Sequence, residues 1–167
     1  MSATENYSTD PTDTEEEASD ANFAEWAPSP WEEVKKMQYG GDRTFAHVVE
    51  NWVLTSKLSE RPGLEKKLLV TLASPKASLA AKDFLCRMLA LIGSEFCAKA
   101  LAPLLLEKET SHLARMALEG IPGKEVDDML ANALPKLDGN EKKGLLGTLA
   151  VRASCKRKTA SQKGGTK

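Results

Sequence analysis

A run of apolar stripes that restarts about every 30 residues constrains this chain more than any other feature. Phe84, Leu85, Met88, Leu89 and Ile92 form a stripe that ends at Gly93. Phe96, Ala100, Leu101, Leu104 and Leu105 form a second. After the polar turn at 107–110 the pattern restarts with Leu113, Ala114, Ala117, Leu118 and Ile121. Pro122-Gly123 closes it, and Val126, Leu130, Ala133, Leu134 and Leu137 follow. A third start, Leu145, Leu146, Leu149 and Ala150, comes after Asp138-Gly139-Asn140. The offsets are 29 from Phe84 to Leu113 and from Ile92 to Ile121, 30 from Phe96 to Val126 and from Leu104 to Leu134, and 32 from Leu113 to Leu145. Apolar residues at i, i+3, i+4 and i+7 lie on one face of an α-helix. One hairpin of two short helices cannot bury both of its faces, whereas stacked hairpins share a continuous core. The expected fold is therefore all-α, an α-solenoid of stacked helical hairpins.

The N-terminal third has the helical rhythm without the repeat. Ser29-Pro30-Trp31-Glu32 suits a helix start, with Ser29 as the cap, Pro30 in the first turn and Glu32 completing a capping box. That helix should run to about Tyr39 and stop at Gly40-Gly41, where Asp42 can cap the next. Phe45, Val48, Val49, Trp52 and Val53 give a face ending near Lys57. Arg61-Pro62-Gly63 reads as a turn before Leu64, Leu68, Leu69 and Leu72, and Ser74-Pro75 ends that stripe. The two helices look like an antiparallel pair.

Composition matters through its distribution. The formal net charge is −1, yet residues 1–22 hold seven acids and no Lys or Arg, while 152–167 hold six bases and no acid. Both ends are rich in Ser and Thr and poor in large apolar residues, the composition of segments that stay disordered. The expected organisation is an acidic disordered tail over 1–27, a helical repeat domain over 28–152 and a basic disordered tail over 153–167. No run approaches the ~18 apolar residues of a membrane span. The start of the chain lacks the basic and apolar regions of a secretory signal. Three cysteines with no CxxC fit a reducing, cytoplasmic setting.

The stretch Ala81–Arg87, then Leu91-Ile92-Gly93-Ser94-Glu95, Ala100–Leu106 (ALAPLLL) and Ser111–Glu119 (SHLARMALE) resembles the short bacterial HEAT-repeat arrays. That branch includes the phycobilisome-lyase-type HEAT-like repeats. The resemblance covers residues 81–152. It implies a right-handed, armadillo-like stack of helical pairs and a protein-binding role, with no catalytic residues. The chain departs from the pattern at its end: the third unit has a first helix and no second, as in a fragment or an interrupted array. The last helix is expected to expose an apolar side. In such stacks the second helices line the concave face, which makes Lys99, Asp128, Asn132 and Lys136 the candidate protein-binding residues.

Residues that could carry chemistry do not converge. His47 and His112 stand 65 positions apart with no ligands at metal spacing. Cys86 and Cys97, on the two helices of one hairpin, read as small buried hydrophobes. Trp31 and Trp52 read as contacts around the first helices, and Trp26, before Pro28, as the same or as an exposed anchor. Glu32/Glu33 and Asp127/Asp128 are helix neighbours that point apart. No phosphate-loop, nucleophile-elbow or zinc-protease motif occurs. The expected function is a non-catalytic scaffold for another protein, with no cofactor, no small-molecule substrate and no enzyme activity. Two alternatives remain: an accessory module of an enzyme such as a chromophore lyase, and weak nucleic-acid or anionic-surface binding through the basic tail. Nucleic acid is disfavoured, since six charges support only weak, salt-sensitive binding.

Overall fold

A computed structural model of the chain describes residues 28–163, with side chains through 155. Over these residues it holds eight α-helices, one 3-10 turn and no strand. The helices are α1 (Pro30–Lys36), α2 (Thr44–Thr55), α3 (Arg61–Leu72), α4 (Leu79–Ile92), α5 (Glu95–Leu106), α6 (Ser111–Gly120), α7 (Lys124–Ala133) and α8 (Gly139–Lys163), with Leu134–Lys136 as the 3-10 turn. The all-α expectation holds. The expected tail 1–27 lies outside the described residues. α8 runs through Arg152, the expected domain edge, to Lys163. No Pro or Gly interrupts 148–163, and Ala, Lys, Arg and Gln there favour helix.

The helices lie in two rows. α4 packs on α6 and α6 on α8, while α3 packs on α5 and α5 on α7. One core runs between the rows, from Val34, Val49 and Val53 through Leu68, Leu85 and Leu89 to Leu118, Leu130 and Leu145. Burying a Leu or Val side chain contributes about 1.5–3 kcal/mol, so these stripes, more than helix propensity, hold the short helices in place. Gly120 marks the closest crossing in the first row. A Cβ there would stand 2.7 Å from the Ala90 carbonyl oxygen, so α6 approaches α4 only because that atom is missing.

Sequential pairing differs from the expected hairpins. Consecutive helices pack most closely as α3 with α4 and α5 with α6, rather than α2 with α3, α4 with α5 and α6 with α7. The physical reason is visible at the α4–α5 joint. Gly93 (φ −63°, ψ 146°) and Ser94 (φ −107°, ψ 177°) are both extended and redirect the chain instead of folding it back.

The repeat register is also corrected. Phe96 is 70% exposed and Ala100 is exposed, while Cys97, Ala98, Leu101 and Leu105 are buried. The offset of 30 placed Phe96 opposite Val126. The buried residue at that place is Cys97, 29 positions before Val126, just as Leu101 precedes Leu130 by 29. Both rows therefore repeat at 29 through α7. The error arose because Phe96 is the larger hydrophobe of two adjacent apolar positions, and size alone does not tell which one faces inward.

The ends of the helices depart from the expectations in detail. Arg61-Pro62-Gly63 is the first turn of α3, where a proline without its N–H costs nothing. α1 stops at Lys36, three residues early, and Ser29 makes no side-chain cap bond. The Ser29 carbonyl accepts the Glu32 and Glu33 amides instead, and the Glu32 carboxylate pairs with Lys35 at 2.5 Å. Ser78 explains the early stop. Its amide donates to the Lys35 carbonyl at 3.0 Å and its hydroxyl to the Met37 carbonyl at 2.5 Å. The same hydroxyl oxygen accepts the Ala81 amide at 3.0 Å, capping α4. Arg43, not Asp42, holds the N-cap place of α2 and makes no side-chain cap bond; from one position before it the Asp42 Oδ1 accepts the Thr44 amide at 2.9 Å and the Thr44 hydroxyl at 2.7 Å. Those two bonds hold its carboxyl below the usual range.

Trp31 and Trp52 stack obliquely, with ring centroids 5.6 Å apart and planes at 37°, and the Lys67 ammonium lies 5.9 Å from the Trp31 centroid. This joins α1, α2 and α3; Trp31 is half-buried against the core, while Trp52, expected on the buried face, is 38% exposed. Trp26 lies outside the described residues. Among the described residues no helix is long and apolar enough to cross a membrane.

Candidate functional site

The second-row helices α5 and α7 run side by side and leave an open groove of about 640 Å³ between them. The sequence dictates its floor. The inward stripes of the two helices turn their margins toward each other, and Leu105, Leu106, Met129 and Ala133 supply an apolar surface. Leu106 is 48% exposed and Met129 half-buried, so these two are open to contact, while Leu105 and Ala133 are buried beneath them.

Lys99, Asp128, Asn132 and Lys136 all line this one groove. The structure thus brings together four residues chosen for an expected place on second helices, although Lys136 lies in the 3-10 turn, since α7 ends at Ala133 just before Pro135. Their electrostatic states differ. Asp128 accepts a 2.7 Å ion pair from Lys124 one turn before it, and that hydrogen bond and charge raise the Lys124 ammonium above its ordinary value. Much of the Asp128 charge is therefore answered within α7. Lys99, Asn132 and Lys136 are exposed along the groove with the acid Glu125.

Pro103 adds an element that sequence reasoning overlooked. It lies inside α5 and lines the groove. A proline has no amide hydrogen, so the Lys99 carbonyl lacks the donor that an ordinary residue four positions on would supply. The signal was legible, since Pro103 stands within the apolar stripe that marks α5.

Two buried charged residues brace the site from behind. Glu65 of α3 is 5% exposed. Its Oε1 accepts the Ser94 amide at 2.9 Å, the Ser94 hydroxyl at 2.8 Å and the Cys97 amide at 3.2 Å. It thereby caps the start of α5 from a neighbouring helix and fixes the wall that carries Lys99. Arg152 of α8 is 6% exposed. Its Nη1 donates to the carbonyls of Leu118 (2.7 Å), Glu119 (3.0 Å) and Ile121 (2.5 Å), and its Nη2 to that of Gly123 (3.2 Å). It closes the end of α6 and the turn into α7. Sequence reasoning passed over Glu65 and counted Arg152 among the six bases of the tail, whereas its guanidinium is buried and bonded within the fold. Yet Glu65 stands three positions before Leu68 and Arg152 three after Leu149, each on an apolar stripe, and a charge at a stripe position signals a buried polar role.

The remaining residues considered for chemistry stay apart. His47 is exposed on α2 with its Nδ1 3.2 Å from Glu50, and His112 is exposed on α6. No group of three or more His, Cys, Asp or Glu side chains is placed to hold a metal ion among the described residues. Cys86 and Cys97 are fully buried, as expected of small hydrophobes. Burial pushes both thiols up to about 12, with Asp83 adding to the effect at Cys86 and Glu65 at Cys97. Such thiols stay protonated and are poor nucleophiles. Comparison with family models, with curated proteins and with solved structures finds no match to this chain.

Proposed function

We propose that this chain is a non-catalytic helical-repeat scaffold, an α-solenoid in the manner of HEAT arrays, whose α5–α7 groove holds a segment of another protein. The observation that carries the reading is the groove itself. Its apolar floor (Leu105, Leu106, Met129, Ala133) is edged by Lys99, Asn132 and Lys136 and by the acids Glu125 and Asp128. Apolar anchors seated on such a floor would supply affinity, and the polar rim would set register, which is how a helical groove takes a peptide. The 29-residue repeat through α7, the two rows of helices and the resemblance of residues 81–152 to HEAT arrays support the architectural part. Cysteines free of disulfides are in keeping with a reducing, cytoplasmic setting.

The test compares native-host pull-downs with wild-type protein and with a Lys99→Glu/Lys136→Glu variant, at matched melting temperature. The expected result is a defined protein retained by wild type and lost by the variant. A His47→Ala variant, altered on α2 away from the groove, should retain it. If the variant recovers the same proteins as wild type, the groove is not the binding site and the reading fails.

A further inference from the structure

Arg61 holds the one buried side-chain nitrogen or oxygen that has no hydrogen-bond partner among the described residues, its Nε. Arg87, Arg115 and Arg152 each donate to a side-chain acceptor. Glu65, one turn after Arg61 on the same face of α3, is already engaged. Its Oε1 accepts the Ser94 and Cys97 amides, and its Oε2 the Ser94 hydroxyl at 3.0 Å. A buried donor left unmet is costly, and folded proteins keep few of them.

Arg61 lines an open cleft of about 370 Å³ between the start of α3 and the α4–α5 joint. Ile92 is buried in its wall, whereas Leu58 and Phe96 stand 79% and 70% exposed along it. Lys66 adds a second cation, on an exposed side chain. Glu65 is the single acid of the lining, and its bonds to the head of α5 already answer part of its charge. Two cations against one engaged acid, beside two exposed apolar side chains, select a ligand with a negative group and an apolar body.

We infer that this cleft binds a segment of a partner protein in which an acidic residue stands beside a large apolar one. The apolar side chain seats against Leu58, Ile92 and Phe96. The carboxylate pairs with the Arg61 guanidinium, which turns outward about its last side-chain bonds to meet it. Guanidinium and carboxylate match as a fork of two parallel hydrogen bonds, and that fork gives the stranded Nε an acceptor. Lys66 strengthens the attraction without fixing the geometry. A small free carboxylate is a poorer occupant. Small-molecule sites enclose most of their ligand, whereas Leu58 and Phe96 stand largely in solvent, and only a longer chain covers them. The cleft shares no lining residue with the α5–α7 groove and does not rest on that groove's function.

Selection of a random peptide library, displayed on phage, against the full chain tests this. The expected result is a family of peptides that share an acid beside Phe, Leu, Ile or Trp. Synthetic members, read by fluorescence anisotropy, should bind Arg61→Gln about ten-fold or more weakly than wild type, the loss of one charge-assisted pair. Arg61→Lys, which keeps the charge and loses the fork, should recover only part. Changing the acid of the peptide to its amide should cause a similar loss in wild type and little further loss in Arg61→Gln. Phe96→Ser should weaken the same peptides. If Arg61→Gln lowers the melting temperature, Lys66→Glu at its exposed position serves as the second variant, with an expected loss of about three-fold or more. A selection that yields no such family overturns the inference, as does a family that binds wild type, Arg61→Gln and Lys66→Glu alike. Peptides lost by Lys99→Glu/Lys136→Glu and kept by Arg61→Gln occupy the α5–α7 groove, and a selection yielding only these also overturns it.

Discussion

The guanidinium of Arg152 and the carboxylate of Asp127 form a 2.6 Å ion pair across 25 positions of sequence, tying the last helix to the start of α7. Four carbonyls of the α6–α7 turn accept from the same guanidinium. A planar fork of five donors suits this role, which an ammonium cannot fill. The pair holds α8 in place and, through the turn, sets the start of the α7 wall of the groove.

Arg152→Ala should therefore destabilise the fold by about 3–5 kcal/mol, the cost of leaving a buried ionic partner and its carbonyls unsatisfied. Urea unfolding with tryptophan fluorescence measures it. Arg152→Lys should recover only part of the loss. Equal stability of all three proteins would show that the network contributes nothing.

Glu65→Ala removes the acceptor of the Ser94 and Cys97 amides at the head of α5. The expected loss is about 1–3 kcal/mol. Hydrogen exchange should rise first in Glu95–Leu101. Protection unchanged there would mean that α5 is capped by other means.

The register correction has its own check. Leu101→Ala should cost about 2–5 kcal/mol as a buried truncation. Phe96→Ser, at a 70% exposed position, should stay within about 0.5 kcal/mol of wild type. The reverse order would restore the offset of 30 and move Phe96 into the core.

The buried thiols set a pH dependence. Cys86 and Cys97 have thiols raised to about 12 in the folded chain, above their value when unfolded. The folded state then binds more protons than the unfolded state between about pH 9 and 12, so stability is intact below that window and falls as pH rises through it. A Cys86→Ala/Cys97→Ala variant should show a shallower fall in melting temperature over the same range. At neutral pH a thiol reagent should modify Cys155 quickly and the other two only as the chain opens.

Much of the fold was legible from local pattern. The stripes at Leu64–Leu72, Phe84–Ile92 and Leu113–Leu118 fall within helices, and Gly93, Pro122 and Asp138 lie outside them, because apolar period and backbone punctuation are properties of neighbouring residues. Ser78 shows where that ends. Its cap of Ala81 could be read from sequence, but its bonds to Lys35 and Met37, about 41 positions away, could not. The groove was half legible. Placing Lys99, Asp128 and Asn132 on second helices needed only the repeat, while the position of Lys136 in the 3-10 turn after α7, the Lys124–Asp128 pair and the neighbouring floor needed coordinates.

Sequence by itself determined that the chain is helical, where most of its helices begin and end, and that its rows repeat about every 30 residues. Those follow from the 3.6-residue period and from the short-range chemistry of Gly, Pro, Ser and Asp. Tertiary structure alone decided which of two adjacent apolar residues faces inward at 96 and 97, which consecutive helices pack as pairs, and why Glu65 and Arg152 are buried. Each depends on groups from different helices that meet only after the core has closed, and a local pattern carries no information about such partners.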